Sequence, residues 1–191
     1  MEAVLCFAEL AGLFLSLIGY VCCLVALFIP RWLTFSSGLL VNENYLLGLW
    51  ETCVVQDLGL TVCQEYQIPL RLPLQVRMGR VLVCLSVFIG ALGFTASVPA
   101  LTCVKCLDNT DRHVRKMLAV LGGVLFAAAG ALTFFSVSYF AYDTLLKFWD
   151  HNIPKGVPRG EFGDAMYTGW VGGFFLLAGG SVFILSQFHS T

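Results

Sequence analysis

Four stretches of the chain hold no charged residue: Leu10–Ile29, Val81–Leu101, Met117–Tyr142 and Ala165–Phe188. Each is long enough to cross a ~30 Å hydrocarbon core as a helix, which takes ~20 residues. The pattern therefore predicts four membrane spans joined by three loops. Glu2 and Glu9 stand where a signal peptide would carry basic residues, and no small-x-small cleavage site follows. The first stretch thus reads as a retained helix. The third stretch, at ~39 Å when helical, is longer than the core is thick and is expected to tilt or project.

The first loop, residues 30–80, has a different rhythm. Arg31–Val41, Gly48–Gln56 and Leu60–Gln67 are rich in Val, Thr, Tyr, Trp and Leu, and turn-like Asn42-Glu43-Asn44 and Asp57-Leu58-Gly59 separate them. This predicts strands with a hairpin at the second cluster. A three-residue loop there, with Gly59 in the left-handed position, centres the hairpin on Leu58. Cys53 and Cys63 are then cross-strand neighbours at the separation a disulfide accepts. Such a bond persists in an oxidising compartment.

Lys and Arg near span ends are retained on the cytoplasmic side. The middle loop, residues 102–116, gathers Lys105, Arg112, Arg115 and Lys116, whereas the other loops spread their basic residues thinly. The middle loop and both termini are therefore placed in the cytoplasm. Loop one and loop three, residues 143–164, face outward, and residues 189–191 form a short inner tail.

Composition agrees. The chain has 191 residues, of which 58% are hydrophobic and 12% charged, with a mean hydropathy of +0.83. Soluble domains are ~25% charged. The net charge of -1 gives no reason to expect a nucleic-acid partner. Small residues at turn spacing, Gly12 with Ser16, Gly123 with Ala127, Ala127 with Ala131 and Gly169 with Gly173, predict close helix packing. Between the ends of the four stretches no ionisable side chain is available to line a transmembrane channel.

Candidate chemistry is sparse. Cys6, Cys22, Cys23 and Cys84 read as small apolar fillers in or near spans. Cys103 and Cys106 flank Lys105 beside the second span, where they are candidates for S-palmitoylation or remain plain thiols. Their CxxC spacing also suits a four-span thiol oxidoreductase of the vitamin K epoxide reductase type. The cytoplasmic placement of the pair weighs against that. His113, His151 and His189 are scattered without metal-ligand spacing. No catalytic constellation and no metal or cofactor site is expected.

One set of residues is specific. Trp32, then Gly48-Leu49-Trp50, then Cys53 and Cys63 resemble the claudin signature W, GLW, C, C. Arg80 opens the second span as the family's arginine does. Phe148-Trp149-Asp150 in the second outer loop, and Glu161-Phe162-Gly163 followed by Tyr167 and Gly169-Trp170, are similar to the family's motifs. The resemblance covers the whole chain as one domain, residues 1–191, and is closest to members with FWD and VPR in the second outer loop.

The resemblance implies a membrane α-helical fold: a four-transmembrane left-handed bundle with an extracellular antiparallel sheet. It implies a plasma-membrane protein of tight junctions that is not an enzyme and needs no cofactor. It would polymerise with itself and other claudins, in cis and in trans, to form paracellular barriers or ion-selective pores. Transferred by position, the candidate paracellular charges are Arg31, Glu43, Glu51, Asp57 and Glu65. Gln64 stands where cation-selective members are often acidic, and the first loop is formally neutral, with Arg31, Arg71, Arg77 and Arg80 against Glu43, Glu51, Asp57 and Glu65.

Trp32 and Trp50 are expected to anchor the sheet at the membrane surface, in preference to touching a partner directly. The ending Gln187-Phe188-His189-Ser190-Thr191 lacks the family's terminal hydrophobic residue, so binding to PDZ scaffolds is expected to be weak or absent. Peripheral myelin and epithelial membrane proteins, acting as membrane organisers, and calcium-channel gamma subunits, acting as accessory subunits, share the GLW and cysteine elements. Absence of an Asn-x-Ser/Thr site favours the claudin branch over the myelin one.

Overall fold

The computed structural model describes residues 2–36, 44–56, 60–66, 72–101, 112–148 and 160–189. Four helices dominate it: α1 (Glu2–Phe28), α2 (Leu74–Ala100), α3 (Arg112–Phe148) and α4 (Asp164–His189). All four are long and apolar enough to cross a membrane. The helices overrun the uncharged stretches because a charged side chain ends the lipid-compatible part of a helix without ending its backbone hydrogen bonding. α3 is extreme, with 37 residues, or ~55 Å of helix.

α4 packs between α1 and α3, and α2 packs on α3, while α1 and α2 touch only lightly. Glycine governs the approach. A Cβ on Gly123 would lie 3.0 Å from the Gly180 carbonyl oxygen, one on Gly173 3.1 Å from that of Gly130, and one on Gly12 3.1 Å from that of Gly179. These are backbone contacts that larger residues would pry apart. Of the expected small-residue pairs, Ala127–Ala131 is corrected. Ala131 is exposed and Gly130, one position earlier, fills the α3–α4 contact, because 3.6 residues per turn rotates a strict i, i+4 row off the interface.

Buried polar groups bridge the helices. The Ser86 hydroxyl donates to the Ala129 carbonyl at 2.7 Å and lies 2.6 Å from Thr133 Oγ1, and Cys23 donates to that same oxygen at 3.6 Å. With the Ser86 proton committed to a carbonyl, Thr133 must donate to Ser86. One satisfied chain thus joins α1, α3 and α2. Cys23 is a filler with a bond, and Cys6 is not a filler, being disulfide-bonded. Glu9, which flanks the first uncharged stretch, is helical and 1% exposed, and it accepts from Gln187 Nε2 at 2.6 Å.

A five-stranded antiparallel sheet sits at one end of the bundle, in the order β4-β3-β2-β1-β5. Its strands are β1 (Leu33–Ser36), β2 (Asn44–Leu47), β3 (Glu51–Val55), β4 (Thr61–Glu65) and β5 (Gly160–Phe162). Three of these fall in the expected segments. β2 begins at Asn44, inside the cluster read as a turn. β5 comes from the loop between α3 and α4, so both loops build one sheet. Three residues including a glycine carry no alternation to read, and β5 exists only because β1 offers it an edge.

Candidate functional site

The sheet is fixed to the bundle at three places, each built from residues the sequence singled out. Trp32 is the first. It is wholly buried rather than placed at the membrane surface as expected. Its ring lies 5.0 Å from that of Phe140, and its Nε1 donates to the Ala26 carbonyl at 2.9 Å. That oxygen lies in the last turn of α1, where intrahelical donors run out. Leu33, Val76, Met166 and Val137 complete the same core. Trp32→Ala should destabilise the protein by about 3–5 kcal/mol, read as a lowered thermal unfolding midpoint in detergent; a midpoint within a few degrees of wild type would contradict this placement.

The second place is the corner Gly48-Leu49-Trp50 between β2 and β3. Gly48 donates its N–H to the Glu51 carbonyl at 3.0 Å. A Cβ there would fall 2.5 Å from Pro30 Cα, so only glycine lets the corner close over the end of α1. Leu49 is 1% exposed. Trp50 is 42% exposed. Arg80, in the second turn of α2, donates from Nε to the Leu49 carbonyl.

The third place is Gly163. Its N–H donates to the Trp32 carbonyl at 3.0 Å, and that of Ala165 donates to the Arg31 carbonyl at 3.1 Å. Arg31 also pairs with Asp164 at 3.5 Å, with both side chains largely exposed, so that ion pair contributes little. Phe162 rests edge-on against Trp170, at 6.2 Å between centroids. The loop-three motif thus seals the sheet onto the start of α4. Lys147, near the far end of α3, reaches Asp143 at 2.6 Å and Gln75 of α2 at 3.2 Å.

Cys53 and Cys63 are bonded, with Cα atoms 4.0 Å apart, and are register partners of β3 and β4. The register also sorts the two faces of the sheet, since successive side chains alternate. One face carries Leu33, Phe35, Leu47 and Phe162, which join the bundle core. The other carries Thr34, Leu46, Cys53 and Cys63 in one row. Glu51 and Glu65 oppose each other in a second row of that face, and Glu161 stands opposite Thr34. The described strands contain no basic residue. Glu51 lies within 4.8 Å of both sulfurs, but oxidised sulfurs offer no thiolate to a metal.

Glu43, Asp57, Trp149, Asp150, Cys103, Cys106 and the tail residues Ser190 and Thr191 lie outside the described residues, as does the hairpin turn at Leu58. Phe148 is the last residue of α3. Sequence reasoning did not pick out Tyr66 or Pro30. The only available signal was position: Pro30 closes the first span, and Tyr66 follows the second strand cysteine by three residues.

Fold and site together define a multi-pass membrane protein whose two sheet-end loops form one disulfide-bonded sheet locked to a four-helix bundle. The model of the PMP-22/EMP/MP20/Claudin family matches residues 6–183, and the chain belongs to that family. Claudin-14 of Mus musculus is 32% identical over 181 residues, covering 93% of this chain and 74% of the relative. Claudin-4 of Homo sapiens is 29% identical over 177 residues, covering 91% and 83%. Claudin-3 of Rattus norvegicus is 29% identical over 181 residues, covering 93% and 81%.

Proposed function

We propose that this protein is a structural and adhesion component of tight junctions, placed in the plasma membrane with its sheet outside the cell and both termini in the cytoplasm. It associates with copies of itself and with other claudins, side by side in one membrane and across the intercellular gap. The sheet then stands beside the paracellular path, and its action is interfacial, with no bond made or broken.

The observation that carries this reading is the segregation of the sheet. Every carboxylate of the described strands, Glu51, Glu65 and Glu161, stands on the face turned from the core, and those strands hold no basic residue. An acidic wall of this kind favours cations over anions in a narrow aqueous path. Of the five charges transferred by position, Glu43 and Asp57 lie outside the described residues and Arg31 stands beside Asp164 at the foot of the sheet; Glu51 and Glu65, opposed on the strands themselves, are the pair to test.

The double variant Glu51→Gln with Glu65→Gln should lower sodium-over-chloride permeability across an epithelial layer by about two- to fivefold, with strand formation intact. Dilution potentials measure the ratio. Unchanged or increased cation preference would refute the assignment of this face to the ion path.

A further inference from the structure

Arg80 forms no ion pair among the described residues. The Trp50 and Tyr66 rings lie 5.0 Å and 5.2 Å from its Cζ, so aromatic groups accompany the guanidinium. Tyr66 is itself held, its hydroxyl donating to the Gly48 carbonyl at 3.2 Å. Nε is committed to Leu49. The remaining four N–H groups, on Nη1 and Nη2, meet no acceptor among the described residues. Glu51, adjacent to Trp50 in sequence, makes no ion pair with Arg80; the described ion pairs are Arg31–Asp164 and Lys147–Asp143. A guanidinium held by Nε presents a rigid two-pronged edge that matches an oxyanion such as phosphate.

Position selects the source of that anion. Val81, Leu85, Phe88 and Leu92 run down α2 as an exposed apolar stripe, on a helix long enough to span the bilayer. Arg80 is level with the head of the stripe, one position before Val81 and on the flank of the helix that carries the exposed Trp50. This is the depth at which hydrocarbon gives way to headgroups, and tryptophan and tyrosine favour it. The anions present at that depth are lipid phosphates.

We propose that Arg80, accompanied by Trp50 and Tyr66, seats the phosphate of one phospholipid in the leaflet beneath the sheet. The bound headgroup neutralises a cation whose Nε already fixes the Gly48-Leu49-Trp50 corner, so the lipid sets the depth at which the sheet rides on the membrane.

Native mass spectrometry of the full chain in detergent tests this, with dioleoylphosphatidylcholine as the probe, dioleoylglycerol as its phosphate-free counterpart, and inorganic phosphate as a third arm. Wild type should retain the phospholipid over the diacylglycerol by about fivefold or more, and Arg80→Gln should lose that preference. Arg77→Gln, a change at an exposed cation on the same helix, should keep it. If Arg80→Gln fails to fold, as shown by loss of the Cys53–Cys63 bond, Arg80→Lys carries the test, because it keeps the charge without the fork and should reduce the preference. Equal retention by wild type and the Arg80 variant overturns the proposal. Arg80-dependent capture of inorganic phosphate without any phospholipid preference overturns it as well.

Discussion

Gly163→Ala should unseat the fifth strand and destabilise the protein by more than about 3 kcal/mol. The Cβ of alanine would lie 2.0 Å from the Arg31 carbonyl oxygen and 2.6 Å from its carbon. Both are backbone atoms, so no flexible side-chain end can move aside. Relief requires the strand itself to shift. That breaks the two main-chain bonds from Gly163 and Ala165, loosens the β1–β5 ladder, and pulls Phe162 off Trp170. Thermal unfolding in detergent measures the loss. Glu161→Ala, an exposed change on the same strand, should stay within about 0.5 kcal/mol. Equal behaviour of the two variants would show that the contact at Gly163 does not hold the loops together.

Breaking the Cys53–Cys63 bond should cost about 3 kcal/mol in the chain-entropy model, and its functional effect should exceed that of any single charge change. β4 is the edge of the sheet and is exposed along its whole length. Its other tie is the ladder to β3. Without the covalent link an edge strand of five residues frays, and the acidic face loses its geometry together with Glu65. Cys53→Ser or Cys63→Ser should therefore abolish the contribution to paracellular permeability at matched surface expression, while Glu65→Gln alone shifts only its ion preference. Transepithelial resistance and dilution potentials in one epithelial line separate the two outcomes. Normal barrier behaviour in the cysteine variants would contradict this account of the staple.

Much of this arrangement was legible in the sequence, and the residues say why. The helices announce themselves through charge-free runs, a signal that depends on the solvent and not on any partner. The disulfide was legible because a hairpin centred on Leu58 places Cys53 and Cys63 opposite each other, a purely local constraint. Gly48, Leu49, Trp50 and Arg80 were visible as a motif, but their joint action was not. That the Arg80 Nε meets the Leu49 carbonyl depends on a contact 31 residues apart.

Other features had no local signal at all. Tryptophan by type favours the interface, yet the core formed by Phe140, Leu33 and Met166 outcompetes the interface for the Trp32 ring. β5 was missed because its three residues gain strand geometry only by docking on β1. Gly130 and not Ala131, one residue later, meets α4, since spacing alone does not give the rotation of a helix about its axis.

The central claim is that this sheet-capped bundle assembles with its own kind at cell contacts. Freeze-fracture electron microscopy of fibroblasts that lack junction strands, expressing the full chain at the surface, tests it most directly. Continuous intramembrane strands at the contacts are the expected result. Smooth contacts despite surface expression, with no change in permeability, would contradict the claim and favour an accessory-subunit role.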